Sequence, residues 1–249
     1  MTGPEPTTVA VDNVQVTRRA EEGKTFTLHA DHVRISSANG GICTIEGATG
    51  TGKTTLLKAL AGLEWIDEGS VAWRISGGDE FRLHRDCDEP TLMDIRKKRF
   101  GVAFQHSPLQ PQLTVIDNLI FRLFLANDGL NKEDAANKSK EMLRNFLIAS
   151  ELNIFDGFCA KYPYELSGGQ KQRVALAQAF VHDPNVVFAD EPTASLDQAT
   201  EEQVIAFFKG WSSAPGRLLI WVTHSEERGN SRLRIESRGP SASSVVMGG

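Results

Sequence analysis

Residues Gly47-Ala48-Thr49-Gly50-Thr51-Gly52-Lys53-Thr54 have the spacing G-x-x-x-x-G-K-[ST] of a phosphate-binding loop. In such a loop the glycines let backbone N–H groups turn inward around a phosphate chain. A helix that starts there adds the positive end of its dipole. Lys53 is placed to reach the β- and γ-phosphates, the Thr54 hydroxyl to ligate Mg²⁺, and Thr55 completes the candidate nucleotide-binding set. The bland alternative is a chance glycine-rich turn. The apolar run before the loop and the helical pattern after it argue against that. A second stretch, Val186-Val187-Phe188-Ala189-Asp190-Glu191, is a strand-like run ending in two carboxylates. Asp190 is expected to hold Mg²⁺ through its water shell, and Glu191 to polarise an attacking water. Alone, this pattern is weak, because many strands end in an acid.

A third stretch is Leu166-Ser167-Gly168-Gly169-Gln170, followed by KQRVALAQA. Ser167 and Gln170 have capping-box spacing at a helix start. The two glycines leave backbone amides bare, which makes a second anion site on a second helix end. A nucleotide in one monomer needs only one such end. The economical arrangement is a dimer in which each nucleotide lies between the loop of one subunit and the Ser167–Gln170 motif of the other. A well-capped surface helix is the competing reading of this motif in isolation.

LSGGQ with KQRVALAQA resembles the signature of ATP-binding cassette (ABC) ATPases, and the other motifs of that family occur in the family order. Gln105 resembles the family's Q-loop glutamine, which implies contact with Mg²⁺ and the attacking water. Ser195-Leu196-Asp197 resembles the D-loop that crosses the dimer interface. His224 resembles the switch histidine at the γ-phosphate. The likeness runs from about Val11 to Arg234. It implies ATP and Mg²⁺ as cofactors, ATP hydrolysis with Glu191, His224 and Gln105 in the catalytic set, and Thr54, Gln105 and Asp190 around the metal. It also implies a second ABC ATPase subunit, identical or different, and a separate transmembrane permease subunit. The text FQHSPLQPQLTVIDNL is similar to the lipoprotein-release and macrolide-export subgroup, which includes ATPases that signal through a membrane subunit. Importer ATPases carry similar motifs. The chain departs from the family pattern in two places. The family puts an adenine-stacking aromatic where residues 17–19 have none, leaving Arg18, Arg19 or the more distant Phe26, and GTP use stays open. Gln178 stands where the family commonly has Arg.

The elements that must position these residues follow from pattern. Apolar runs at 42–46, 100–104, 186–189 and 218–222 are short, rich in β-branched and aromatic residues, and near-continuous. That is the mark of a parallel sheet covered on both faces. Helical segments at 54–63, 132–150 and 169–182 alternate with them, giving an α/β layered fold. In the family's terms this is a P-loop NTPase core with a mostly parallel sheet. Residues 70–85 read as a β-hairpin turning at Gly77-Gly78, an antiparallel flank on that sheet. Gly47, Gln105, Asp190 and His224 each follow a strand end, and ligands of open parallel sheets bind at that edge.

One cassette domain is expected over 1–249, with core 9–110 and 166–240, a helical subdomain at 111–165, and weakly ordered ends at 1–8 and 240–249. The permease is expected to dock around His106 to Asn118, where Gln105 could report nucleotide occupancy to it.

Composition narrows the function classes. Of 249 residues, 40% are apolar and 24% charged, and no run approaches the roughly 18 apolar residues of a membrane span. The start, MTGPEPTTVAVDN, lacks a signal-peptide pattern, and three scattered cysteines fit a reducing compartment, so a cytoplasmic peripheral protein is expected. The chain ends soon after His224, so no regulatory domain is expected. His84 and Cys87 are two possible ligands, too few for a metal site. Arg96-Lys97-Lys98-Arg99 reads as a solvated helix face. A net charge of −5 argues against nucleic acid as a partner. A soluble ABC ATPase acting on DNA or ribosomes is the alternative from another class. Against it stand the absent coiled-coil heptads and the single cassette. A dead binding module is disfavoured by Lys53, Asp190, Glu191 and His224.

Overall fold

The protein is described by a computed structural model covering residues 5–19, 25–83, 87–104, 109–223, 229–239 and 241–248. The parallel runs fold as read. Strands β4 (Ile42–Glu46), β7 (Phe100–Ala103), β8 (Val186–Asp190) and β9 (Leu218–Val222) pair in parallel in the order β4-β9-β8-β7. Every residue of β4, β8 and β9 is buried. Alternation of side chains across the pleat divides the apolar ones between two cores. Leu218, Ile220 and Val222 join Phe188, Ile45 and helix α1 (Lys53–Leu60) on one face. Leu219 and Trp221 join Val187 and Ala189 on the other. That second face is covered by α7 (Gly168–Phe180) and α8 (Gln198–Ser212).

The hairpin also forms, as β5 (Glu68–Ile75) and β6 (Asp79–Leu83). Trp73 of β5 packs on Phe100 and Phe188, with ring centroids 5.3 and 5.9 Å away, and so joins the antiparallel flank to the parallel strands. After it comes α2 (Glu89–Lys98), which carries Arg96, Lys97 and Lys98 in its last turn, where cations complement the helix dipole. Between β7 and α7 lie α3 (Val115–Ala126), α4 (Lys132–Arg144) and two short helices, α5 (Ala149–Leu152) and α6 (Phe155–Cys159). Arg122 of α3 donates to the carbonyls of Phe100 (3.0 Å) and Lys97 (2.9 Å), which fixes the start of β7 against α2 and α3.

Several elements differ from the sequence reading. The helix expected over 132–150 stops at Arg144, where Asn145 turns its amide onto the carbonyls of Glu141 and Met142 and lets Phe146 and Leu147 drop into the core. The described parts of both ends enter the sheet and the core. Thr7 is fully buried and its hydroxyl donates to Gly216 O at 2.6 Å. Ala242–Gly248 forms β11, antiparallel to β10 (Ser231–Ser237) and parallel to β2 (Thr25–Ala30). Serine and glycine in this stretch signal a loop. Pairing on both edges decides otherwise, because it satisfies the backbone and buries Ser243 and Val245. β1 (Thr8–Arg19) and β3 (Val33–Ser36) complete an 11-stranded sheet among the described residues.

Phe180 at the end of α7 is fully buried against Phe146, Phe207, Phe208 and Trp211. Phe180→Ala is expected to cost about 3–5 kcal/mol of unfolding free energy, measured by denaturant titration.

Candidate functional site

The loop 47–52 leaves the carboxyl end of β4 and runs into α1. Its glycines are obligatory for this path. Gly47 has φ 151°, and a Cβ there would lie 2.8 Å from Ile235 O. Gly52, at the N-cap of α1, has φ 98° and presses against the ring of Phe26. The Lys53 side chain folds back over the loop and its ammonium donates to Gly47 O (2.8 Å) and Ala48 O (3.0 Å). Thr51 closes the turn with its hydroxyl on Ala48 O. Thr54 points across to β8, donating to Asp190 Oδ2 at 2.8 Å. A hydroxyl and a carboxylate oxygen therefore meet beside the amide-rich end of α1. Hard oxygen donors of this kind suit Mg²⁺.

Burial pushes the Asp190 carboxyl above its usual range. The Thr54 hydroxyl pulls it back, and the neighbouring charge of Glu191 pushes it up again. A cation bound there would relieve both upward pushes. The direction has a consequence for stability without nucleotide or metal. An acid whose folded pKa is raised gives full stability in acid and loses it as pH rises through that folded pKa. Asp190→Asn is therefore expected to melt above wild type at pH 7, with the gap closing as pH falls toward about 4. Melting curves across pH check this, and a variant that melts below wild type at pH 7 would contradict it.

Glu191 begins the turn after β8 with φ 48°, a left-handed conformation that costs a residue with a Cβ about 1–3 kcal/mol. Its N–H donates to Val222 O (3.1 Å) and its carbonyl accepts from Gln172 Nε2 (3.0 Å). The turn continues to Ser195, whose hydroxyl donates to Gln172 Oε1, and to Leu196, half-buried against the α7–α8 core. Asp197 caps α8, accepting from Thr200 N (3.0 Å), which holds its carboxyl below the usual range.

Ser167 caps α7 as expected. Its hydroxyl accepts from Gln170 N, and the Gln170 side chain returns a bond to Ser167 N. The other end of that amide donates to Glu151 of α5 at 3.0 Å. Glu151 in turn pairs with Arg173 of α7, both side chains buried. Burial alone would raise the Glu151 carboxyl, but Arg173, Gln170 and Ile148 N outweigh it and hold the group below its usual range. This link was not legible in the sequence, because Glu151 lies 19 and 22 residues from its partners. Among the described residues a Cβ on Gly168 would meet nothing within 4 Å, and one on Gly169 would approach Ser195 O at 3.4 Å and Leu196 Cδ2 at 3.7 Å.

Breaking the buried pair leaves one charge without its partner. Glu151→Ala is expected to lose about 3–5 kcal/mol at neutral pH, read by denaturant titration. The wild-type contribution is present above the unfolded carboxylate pKa and disappears as pH falls through the depressed folded value.

Gln105 and His224 lie outside the described residues, as do His84 and positions 106–108 of the expected docking stretch. β7 and β9, which precede Gln105 and His224 in the sequence, flank β8, which ends at Asp190, and β4 lies on the other side of β9. The described rest of the docking stretch is not an open apolar surface. Leu109, Val115 and Asn118 are buried, and the Asn118 amide clamps Gln110, Leu113 and Thr114. Exposed apolar residues lie further along α3, at Phe121, Phe124 and Leu125. Of the base-stacking candidates, Arg18 is engaged by Glu64, while Phe26 sits opposite it on the neighbouring strand, against the loop. Gln178 donates to Asn118 O at 3.4 Å.

A glycine-rich loop between a buried parallel strand and a helix, facing a paired Thr54 and Asp190, defines a P-loop nucleotide-binding protein. Residues 30–194 match the family described as ABC transporter. The chain belongs to that family, as an ABC transporter ATP-binding subunit with the P-loop ATPase fold. It is 35% identical over 192 residues to a bacitracin export ATP-binding protein, BceA, of Halalkalibacterium halodurans, covering 77% of this chain and 70% of the relative. To a lipoprotein-releasing system ATP-binding protein, LolD, of Porphyromonas gingivalis it is 35% identical over 203 residues, covering 82% and 86%. Among solved structures it resembles a dimer of the ATP-binding cassette MJ0796 bound to ADP and Pi, with TM-score 0.76, 28% identity, and 91% and 93% of the two chains covered. Relatives of comparable identity carry names for import as well as export.

Proposed function

We propose that the chain hydrolyses Mg-ATP as one half of an ATP-clasping dimer and drives a separate transmembrane subunit of the export or lipoprotein-release type. The observation that carries the dimer is the signature itself. Among the described residues nothing stands within 4 Å of where a Gly168 Cβ would be, so the described part of the subunit leaves that space open. A nucleotide held by a second subunit would require it, and the likeness to a dimeric cassette supports that reading. Among the described residues no helix is long and apolar enough to cross a membrane. The exposed Phe121, Phe124 and Leu125 of α3 offer the transmembrane subunit an apolar landing site. The names of BceA and LolD favour export or release over import.

In this reading the amides of 47–55 and the Lys53 ammonium bind the β- and γ-phosphates. Two of the three donors of the Lys53 ammonium are engaged by Gly47 O and Ala48 O, which leaves a third for a phosphate oxygen. Thr54, Asp190 and Gln105 would hold Mg²⁺, which supplies neutralisation of phosphate charge. Glu191 accepts the proton of the attacking water, His224 contacts the γ-phosphate, and Ser167, Gly168, Gly169 and Gln170 donate to the nucleotide of the opposite subunit. Ser195, Leu196 and Asp197 cross that interface. Phe26, which lies against the loop, and Arg19 are the remaining candidates to stack on a base, so both ATP and GTP are to be assayed.

Glu191→Gln is expected to bind nucleotide yet lose hydrolysis about 10²–10⁴-fold. In that background Mg-ATP is expected to double the mass seen by light scattering, and a strictly monomeric mass at saturation would sink the dimer. A pull-down of the same variant from solubilised native membranes is expected to bring a multi-span protein with it. Purely soluble partners would redirect the reading to the non-transport ABC ATPases.

A further inference from the structure

Two residues beyond the Ser167–Gln170 motif, α7 touches the other half of the chemistry. The Gln172 amide spans a gap between Glu191 and Ser195. Its nitrogen donates to Glu191 O at 3.0 Å and its oxygen accepts from the Ser195 hydroxyl. Glu191 O can only accept and a hydroxyl can do either, so the partners fix which way the amide faces. The Glu191 peptide is thus held from two sides, by β9 through its N–H and by α7 through its carbonyl. Its backbone sits in the left-handed region, which few residues with a Cβ adopt unless their surroundings impose it. The backbone that carries the Glu191 side chain is therefore anchored to a side chain of the helix that begins with Gly168.

We propose that Gln172 is a positioning residue that makes the signature motif, the Glu191 turn and Ser195 one mechanical unit, and so couples the two nucleotide sites of the dimer. The inference rests on the dimer reading above. In that dimer the signature of a subunit serves the partner's nucleotide, while Glu191 serves its own. A shift of α7 as the signature closes on one nucleotide is carried by the Gln172 amide to the general base at the other. The linkage is a pair of hydrogen bonds within a single subunit. It needs one donor and one acceptor at fixed separation, which glutamine has. Glutamate would set a second acceptor against Glu191 O.

The test is steady-state ATP hydrolysis by the full chain as a function of ATP concentration. Wild type, Gln172→Ala, Gln172→Glu and Ser195→Ala are compared, alongside fluorescent-nucleotide binding and thermal melting. Gln172→Ala is expected to lower kcat about 10- to 100-fold, the scale set by sub-ångström to ångström misplacement of a catalytic group, with KM and nucleotide affinity little changed. Its Hill coefficient is expected to fall from about 2 toward 1, the two-site limit and the uncoupled one. Gln172→Glu is expected to match Gln172→Ala in kcat. Ser195→Ala, which keeps the donor to Glu191 O, is expected to lose cooperativity with a smaller loss of kcat. Wild-type kcat and Hill coefficient in Gln172→Ala would overturn the proposal. So would a loss of kcat that follows a parallel fall in nucleotide affinity and melting temperature in all three variants. Wild type that hydrolyses ATP without cooperativity would remove the coupling and leave the ATPase reading standing. Wild type that neither hydrolyses ATP nor dimerises would remove that reading, and the proposal with it. Should Gln172→Ala fail to fold, the glutamate and Ser195 variants decide.

Discussion

A strand buried on both faces can spare no side chain for chemistry, and that constraint shapes this molecule. β4, β9 and β8 have no exposed residue. Apart from Thr44, whose hydroxyl donates to Glu46 Oε1 within β4, their interiors are taken by apolar groups that feed one core or the other in alternation. Polar function can appear only where such strands end. Because the pairing is parallel, those ends share one edge. Gly47 follows β4 and Asp190 closes β8, with β9 between them. The bond from Thr54 to Asp190 spans that middle strand and joins the loop to the acid. Nothing about this bond is local in sequence, since its partners lie 136 residues apart. It joins the end of one buried strand to the loop that follows another, across the strand between them.

The same constraint explains which parts of the fold could be read in advance. Continuous apolar runs of four or five residues have few interpretations, so β4, β7, β8 and β9 were legible, as was the hairpin with its Gly77-Gly78 turn. β1 was not, although Val9, Val11, Val14 and Val16 all point inward. Its register against β5 shifts between Asp12 and Gln15, and Asn13 takes a left-handed conformation there. The period of two breaks in the middle of the strand. β11 hides for a different reason, because its serines satisfy a sheet interior only once β10 and β2 flank it. At the site, the spacing of Gly47–Thr54 and of Ser167–Gln170 was enough to locate both helix ends, because caps and glycine loops are local devices. The residues that hold those devices in place are not local. Glu151 and Gln172 carry no spacing signal, and their partners appear only in three dimensions.

Read from its two flanks, α7 is more than a support for the signature. On one side Gln170 and Arg173 hold Glu151 in a buried, charged cluster. On the other Gln172 holds the Glu191 turn and Ser195. A buried ion pair contributes little net stability over a well-packed apolar alternative, because desolvation consumes most of the attraction. Its value is directional: Arg173 satisfies Glu151 only when α5 and α7 are in register, so the pair fixes the one helix against the other. The polar bonds on the other flank are weaker and more open, with Gln172 half-buried and Ser195 exposed. α7 is thus fixed to α5 by a buried ion pair and to the Glu191 turn by two more open hydrogen bonds, and the second attachment is the one with less burial to hold it.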